Sequence, residues 1–90
     1  MKDRPHVAIA RTLKIHDFLK NNEGQAFKIR EIGMAVNANP DPSNRVTHNA
    51  LQLVRESIYR MLNDDRFQCI KRERIGRLYY IYHDGSNCTL

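Results

Sequence analysis

The stretch THNALQLVRESIYRMLNDD, residues 47–65, sets Leu51, Val54, Ile58, Met61 and Leu62 at i, i+3, i+7, i+10 and i+11. That spacing lines one side of an α-helix with apolar side chains and leaves the other side polar. Thr47 is a candidate cap for its start, with Ser43 and Asn44 competing for the role. Around this helix there is room for one domain only. At 90 residues a chain buries about 60 to 65% of the surface it exposes when unfolded, so the core is modest.

Two further helices are predicted before it. Residues 5–22, PHVAIARTLKIHDFLKNN, put Ala8, Ile15, Phe18 and Leu19 near one face, with Thr12 between them. Asp3 can cap that helix and Gly24 can stop it. Ile9 and Leu13 fall on nearly the opposite side, a second apolar surface for the chain's own tail or for another subunit. QAFKIR alternates Phe27 and Ile29 against Lys28, a short strand. IREIGMAV then places Ile29, Ile32, Ala35 and Val36 at helical spacing, and Pro40 and Pro42 end that helix.

The chain closes on FQCIKRERIGRLYYIYH, residues 67–83, rich in tyrosine and isoleucine with one central glycine. This is a β-hairpin pattern, pairing residues 67–73 with 77–82. Gly76 suits the turn, because a tight hairpin turn needs positive φ. Lys71, Arg72, Arg74 and Arg77 surround it against the single Glu73. One lysine would be enough to protect an exposed strand edge from unwanted pairing. Four cations point to phosphates, whose neutralisation releases counterions and gives affinity without sequence choice. The formal charge of +5 is concentrated at the ends: residues 1–30 carry seven cations against three anions and residues 66–90 five against two, while residues 31–65 carry three against five.

Several function classes find no support. The apolar runs are a few residues long, so no membrane span or secretory leader is expected and the chain reads as cytoplasmic. Cys69 and Cys88 lack zinc-ligand spacing and are expected as reduced thiols. His6, His16, His48 and His83 are dispersed, so neither a metal nor another cofactor is expected. Asp64 and Asp65 read as a helix terminator rather than an acid-base pair. Ser43, Ser57 and Ser86 lack a nucleophile-elbow context, and no catalytic residue is assigned. Tyr79, Tyr80 and Tyr82 are expected in core packing with their hydroxyls at the surface.

Helix, short strand, short helix, long helix and final hairpin is the order of the winged helix-turn-helix, and the chain resembles that fold family over residues 7–83, with residues 84–90 a polar tail. The resemblance implies an α+β domain that binds double-stranded DNA, usually in transcriptional control. It implies a third helix in the major groove and a hairpin, the wing, on phosphates or the adjacent minor groove. With Leu51, Val54 and Ile58 inward, that helix offers Asn49, Gln52, Glu56, Tyr59, Arg60 and Asn63 outward. Amides pair with adenine, arginine with guanine, and glutamate accepts from cytosine. Arg45 and His48 near the helix start join Lys71, Arg72, Arg74 and Arg77 as backbone contacts. A homodimer through Ile9 and Leu13 is expected. The alternative is a protein-binding winged helix, an inhibitor or adaptor, using the acidic middle and Leu53.

Overall fold

The structure, a computed structural model, describes residues 5–36 and 48–89, the first four of them through their backbone alone. Asp3, Pro40, Pro42, Ser43, Asn44, Arg45, Thr47 and the side chain of Ala8 lie outside the described residues. Among those described, three α-helices pack on a three-stranded antiparallel sheet, a small α+β fold compatible with a winged-helix shape. The elements are α1 (Pro5–Asn21), β1 (Phe27–Lys28), α2 (Ile29–Val36), α3 (His48–Leu62), a 3-10 turn (Asp65–Phe67), β2 (Ile70–Ile75) and β3 (Leu78–His83).

Each boundary has a local cause. Asn22 closes α1 by donating from Nδ2 to the Phe18 carbonyl, 2.8 Å, and Gly24 turns the chain away and donates its N–H to the His83 carbonyl, 3.0 Å. Lys28, the last residue of β1, immediately precedes α2, and Glu31 in the first turn reaches back to accept the Lys28 N–H at 2.9 Å. This is the carboxylate half of a capping box, which satisfies a donor that the helix itself leaves open. Asn63 ends α3 by donating from Nδ2 to the Tyr59 carbonyl, 2.9 Å.

The sheet order is β1-β3-β2, with Phe27 opposite Ile81 and Ile70 opposite His83. This pairing, between a two-residue strand and a distant hairpin, fixes where the basic segments meet. Ile15 and Leu19 of α1, Ile32 of α2, and Val54, Ile58 and Met61 of α3 fill the core, closed from below by Phe67, Ile70 and Ile81. Each fully buried aliphatic side chain contributes about 1.5 to 3 kcal/mol relative to its exposed state.

The hairpin departs from expectation at its start. Residues 67–69 are not strand: the Asp64 carboxylate accepts the Arg66 N–H at 2.9 Å and the Phe67 N–H donates to the Asp64 carbonyl at 3.0 Å. The resulting 3-10 turn buries Phe67 before the strand begins. The tyrosines are corrected as well. Ile81 and His83 take the buried positions of β3, Tyr80 and Tyr82 are half-buried, and Tyr79 is exposed. On α2, Gly33 rather than Ala35 is buried. The tail is held by the Thr89 N–H donating to the Arg66 carbonyl, 3.0 Å. It does not cover Ile9 and Leu13, which remain 61% and 42% exposed.

Candidate functional site

With Val54, Ile58 and Met61 buried, helical geometry turns Asn49, Gln52, Glu56 and Tyr59 outward as one stripe, and all four are exposed. His48 is exposed at the start of α3, and Asn63 at its end. Arg60 is exposed too, at the edge of that stripe beside Asn49 and Glu56, where it also lines a hollow of about 250 Å³ with Ile9 and Leu13. Leu53 is half-buried.

The four hairpin cations are all exposed, yet they do not form one cluster. Residues paired across antiparallel strands share a face. Arg72 pairs with Ile81 and Arg74 with Tyr79, so both arginines continue the face whose root is the core. Lys71, opposite Tyr82, lies on the far face, with its Nζ 3.9 Å from Asp84. The guanidinium groups of Arg72 and Arg74 sit 4.9 and 5.7 Å from the Tyr79 ring centroid, and Arg74 Nε donates to the Gly76 carbonyl at 3.0 Å. Ring and turn hold the two arginines in place while leaving their remaining N–H donors available.

Between α3 and the hairpin runs a groove of about 450 Å³, lined by Lys28 and Arg30, by Arg55 and Tyr59, and by Arg77 and Tyr79. Four cations thus converge from β1, α2, α3 and the hairpin turn, and among the described residues none of them ion-pairs with a carboxylate. Tyr59 also borders a hollow on the other side, with Lys71, Arg72 and Asn63. Sequence reasoning missed Lys28, Arg30 and Arg55. The alternation of FKI marks Lys28 as outward, but nothing along the chain announces that β1 pairs with β3 and so brings Lys28 opposite Tyr80.

A second constellation is buried at the hairpin root. His16 of α1, Cys69 just before β2, His83 at the end of β3 and Cys88 of the tail bring their ligand atoms within 4.8 Å of one another. The expected dispersal of the histidines fails for this pair, whose rings lie 5.9 Å apart. The cysteines are not the expected reduced thiols either: Cys69 and Cys88 are joined by a disulfide, with Cα atoms 5.4 Å apart. Burial lowers the His16 pKa below its ordinary value, the neighbouring Asp17 acting against the shift. Imidazole and thiolate are donors suited to zinc.

Comparison with protein families, with curated proteins and with solved structures returns no match to this chain.

Proposed function

We propose that the chain is a winged helix-turn-helix domain that binds double-stranded DNA in a sequence-dependent manner, as a transcriptional regulator. The observation that carries this reading is the groove where Lys28, Arg30, Arg55 and Arg77 meet beside the exposed stripe of α3. Cations without carboxylate partners lose no ion pair when they meet phosphate. The adjoining stripe supplies side chains that read base edges.

In this reading α3 enters the major groove with Asn49, Gln52 and Glu56 toward the bases, and Tyr59 at the seam between helix and wing. Arg72, Arg74 and Arg77 contact phosphates or the adjacent minor groove. Lys28, Arg30 and Arg55 extend the phosphate track along the other flank. Binding occupies a site and blocks or recruits other proteins, with no catalytic step. A second copy docking through Ile9 and Leu13 would double the contacted length.

A titration of random and selected duplexes across salt concentrations tests the reading. The expected result is a steep, linear fall of log affinity with log salt, by about 0.9 per phosphate contacted. A flat salt dependence, or binding to a protein surface alone, would reject it. Tyr79→Ala costing more on single strands than Arg72→Ala with Arg74→Ala costs on duplex would reassign the surface to single-strand stacking. Sedimentation of wild type beside Ile9→Asp with Leu13→Asp tests the second copy.

A further inference from the structure

We infer that His16, Cys69, His83 and Cys88 form a structural zinc site that ties α1, the hairpin root and the tail together. It stands independently of the duplex reading. Two imidazoles and two cysteine sulfurs converge from four separate parts of the chain, with His16, Cys69 and His83 buried and Cys88 half-buried. Their ligand atoms lie within 4.8 Å of one another. Tetrahedral zinc, with bonds of about 2.0 to 2.3 Å, needs edges of about 3.3 to 3.8 Å. Rotations of the side chains close that difference.

A direct bond between Cys69 and Cys88 accounts for two of the four residues and leaves the imidazoles unexplained. His16 is only 7% exposed, and its Nε2 is buried with no hydrogen-bond partner. Leaving such an atom unsatisfied costs about 1 to 3 kcal/mol. A disulfide gives it nothing to bond, whereas a metal ion takes its lone pair.

The surroundings fit the same assignment. Asp17 Oδ1 is 3.6 Å from His16 Nδ1, and Glu23 Oε1 is 3.5 Å from His83 Nδ1. A carboxylate beside the outer nitrogen orients the ring and fixes the tautomer that presents Nε2 to the metal. The Gly85 N–H donates to His83 Nδ1 at 3.1 Å, so without metal that nitrogen accepts and the ring proton is on Nε2. Metal binding through Nε2 moves the proton to Nδ1, where Glu23 accepts it and the Gly85 N–H gives up its acceptor. The Phe67 ring meets His16 edge-on, with centroids 5.8 Å apart, and closes the site from the core side.

Binding is balanced in charge and atoms. A thiol reductant supplies the two electrons and two protons that open the Cys69–Cys88 bond and is itself oxidised to a disulfide. Zn²⁺ then displaces the two thiol protons, and two thiolates with two neutral imidazoles leave the buried centre uncharged. All four positions are then filled by protein, so the site is structural and holds no place for a substrate. A chain with so modest a core gains from such a cross-link.

The test uses the full-length chain, reduced and stripped of metal, titrated first with Co²⁺ alone and then with Zn²⁺. The expected result is one equivalent of Co²⁺ with tetrahedral d–d absorption and thiolate charge transfer, displaced by Zn²⁺, with a rise in thermal midpoint. Cys88→Ser, in the half-buried tail position, should keep the circular dichroism of the parent and lower the charge-transfer band to about half, one of two thiolates being gone. Glu23→Gln should weaken Zn²⁺ binding about 10- to 100-fold with the ligands intact. The inference is overturned if the reduced, folded chain gives no tetrahedral cobalt spectrum. It is equally overturned if the isolated protein is two hydrogens lighter and still binds neither metal after reduction, or if Cys88→Ser binds Zn²⁺ as tightly as the parent.

Discussion

The two ends of the hairpin follow the same strand geometry and have opposite surroundings. At the root, Ile70, Ile81 and His83 are buried, and Cys69 and His83 meet His16 and Cys88. At the tip, every residue from Lys71 to Tyr79 is exposed, and Ile75 and Leu78 pair across the turn with no core beneath them. One face of the ribbon runs from Ile81 through Arg72 to Arg74, so it passes from core to charge within two cross-strand pairs. The difference separates two tasks within a few residues: the root fixes the direction of the ribbon, and the tip presents cations along it. Changes at the root should register in stability and changes at the tip in binding.

The largest expected effect tests the root. Ile81 is fully buried between β1 and β2, and Ile81→Ala should cost about 2 to 5 kcal/mol, the range for an aliphatic deletion that leaves a cavity. Urea unfolding measures it, and a loss under about 1 kcal/mol would break the division between root and tip. At the tip, Arg72→Ala with Arg74→Ala should leave the unfolding midpoint unchanged. It should also weaken duplex binding for all sequences alike and flatten the salt slope by about two. On α3 the expected change is narrower still. Gln52→Ala should relax discrimination at one base pair by about 1 to 3 kcal/mol while affinity for random duplex holds. Equal losses at every base pair would move Gln52 from base reading to backbone contact.

What was legible in the sequence divides along the same line. The 3.6-residue spacing of Val54, Ile58 and Met61 predicts both the buried face of α3 and the exposure of Asn49, Gln52, Glu56 and Tyr59, because one periodicity decides both. The tip cations are contiguous in the chain, so their density shows directly. The strand start was misplaced because Asp64 caps a turn that hydrophobicity alone does not reveal, with Phe67 apolar in either structure. The groove cations Lys28, Arg30 and Arg55, and above all the His/Cys cluster, depend on which segments the fold brings together. His16 and Cys69 stand 53 positions apart, and no spacing rule joins them. Only the packing of α1 against the β3 end does.

The smallest effects come from two glycines, one at each end of the ribbon. Gly76 has φ +64 with nothing within 4 Å of where a Cβ would stand, so Gly76→Ala should cost about 1 kcal/mol through left-handed backbone conformation alone. Gly76→Asn should recover most of that, because asparagine tolerates the conformation. Gly85 has φ +90, and a Cβ there would come within 3.0 Å of Glu23 Oε1, the carboxylate that faces His83. A side chain at residue 85 would therefore strain the backbone and push Glu23 from the imidazole, so Gly85→Ala should cost more than Gly76→Ala by chemical unfolding. Asparagine at residue 85 should bring no recovery, since the obstruction is steric as well as conformational. If the two alanine variants lose equal stability and asparagine rescues both, Glu23 yields without consequence, and the carboxylate contact at the root is no more constrained than the open turn at the tip.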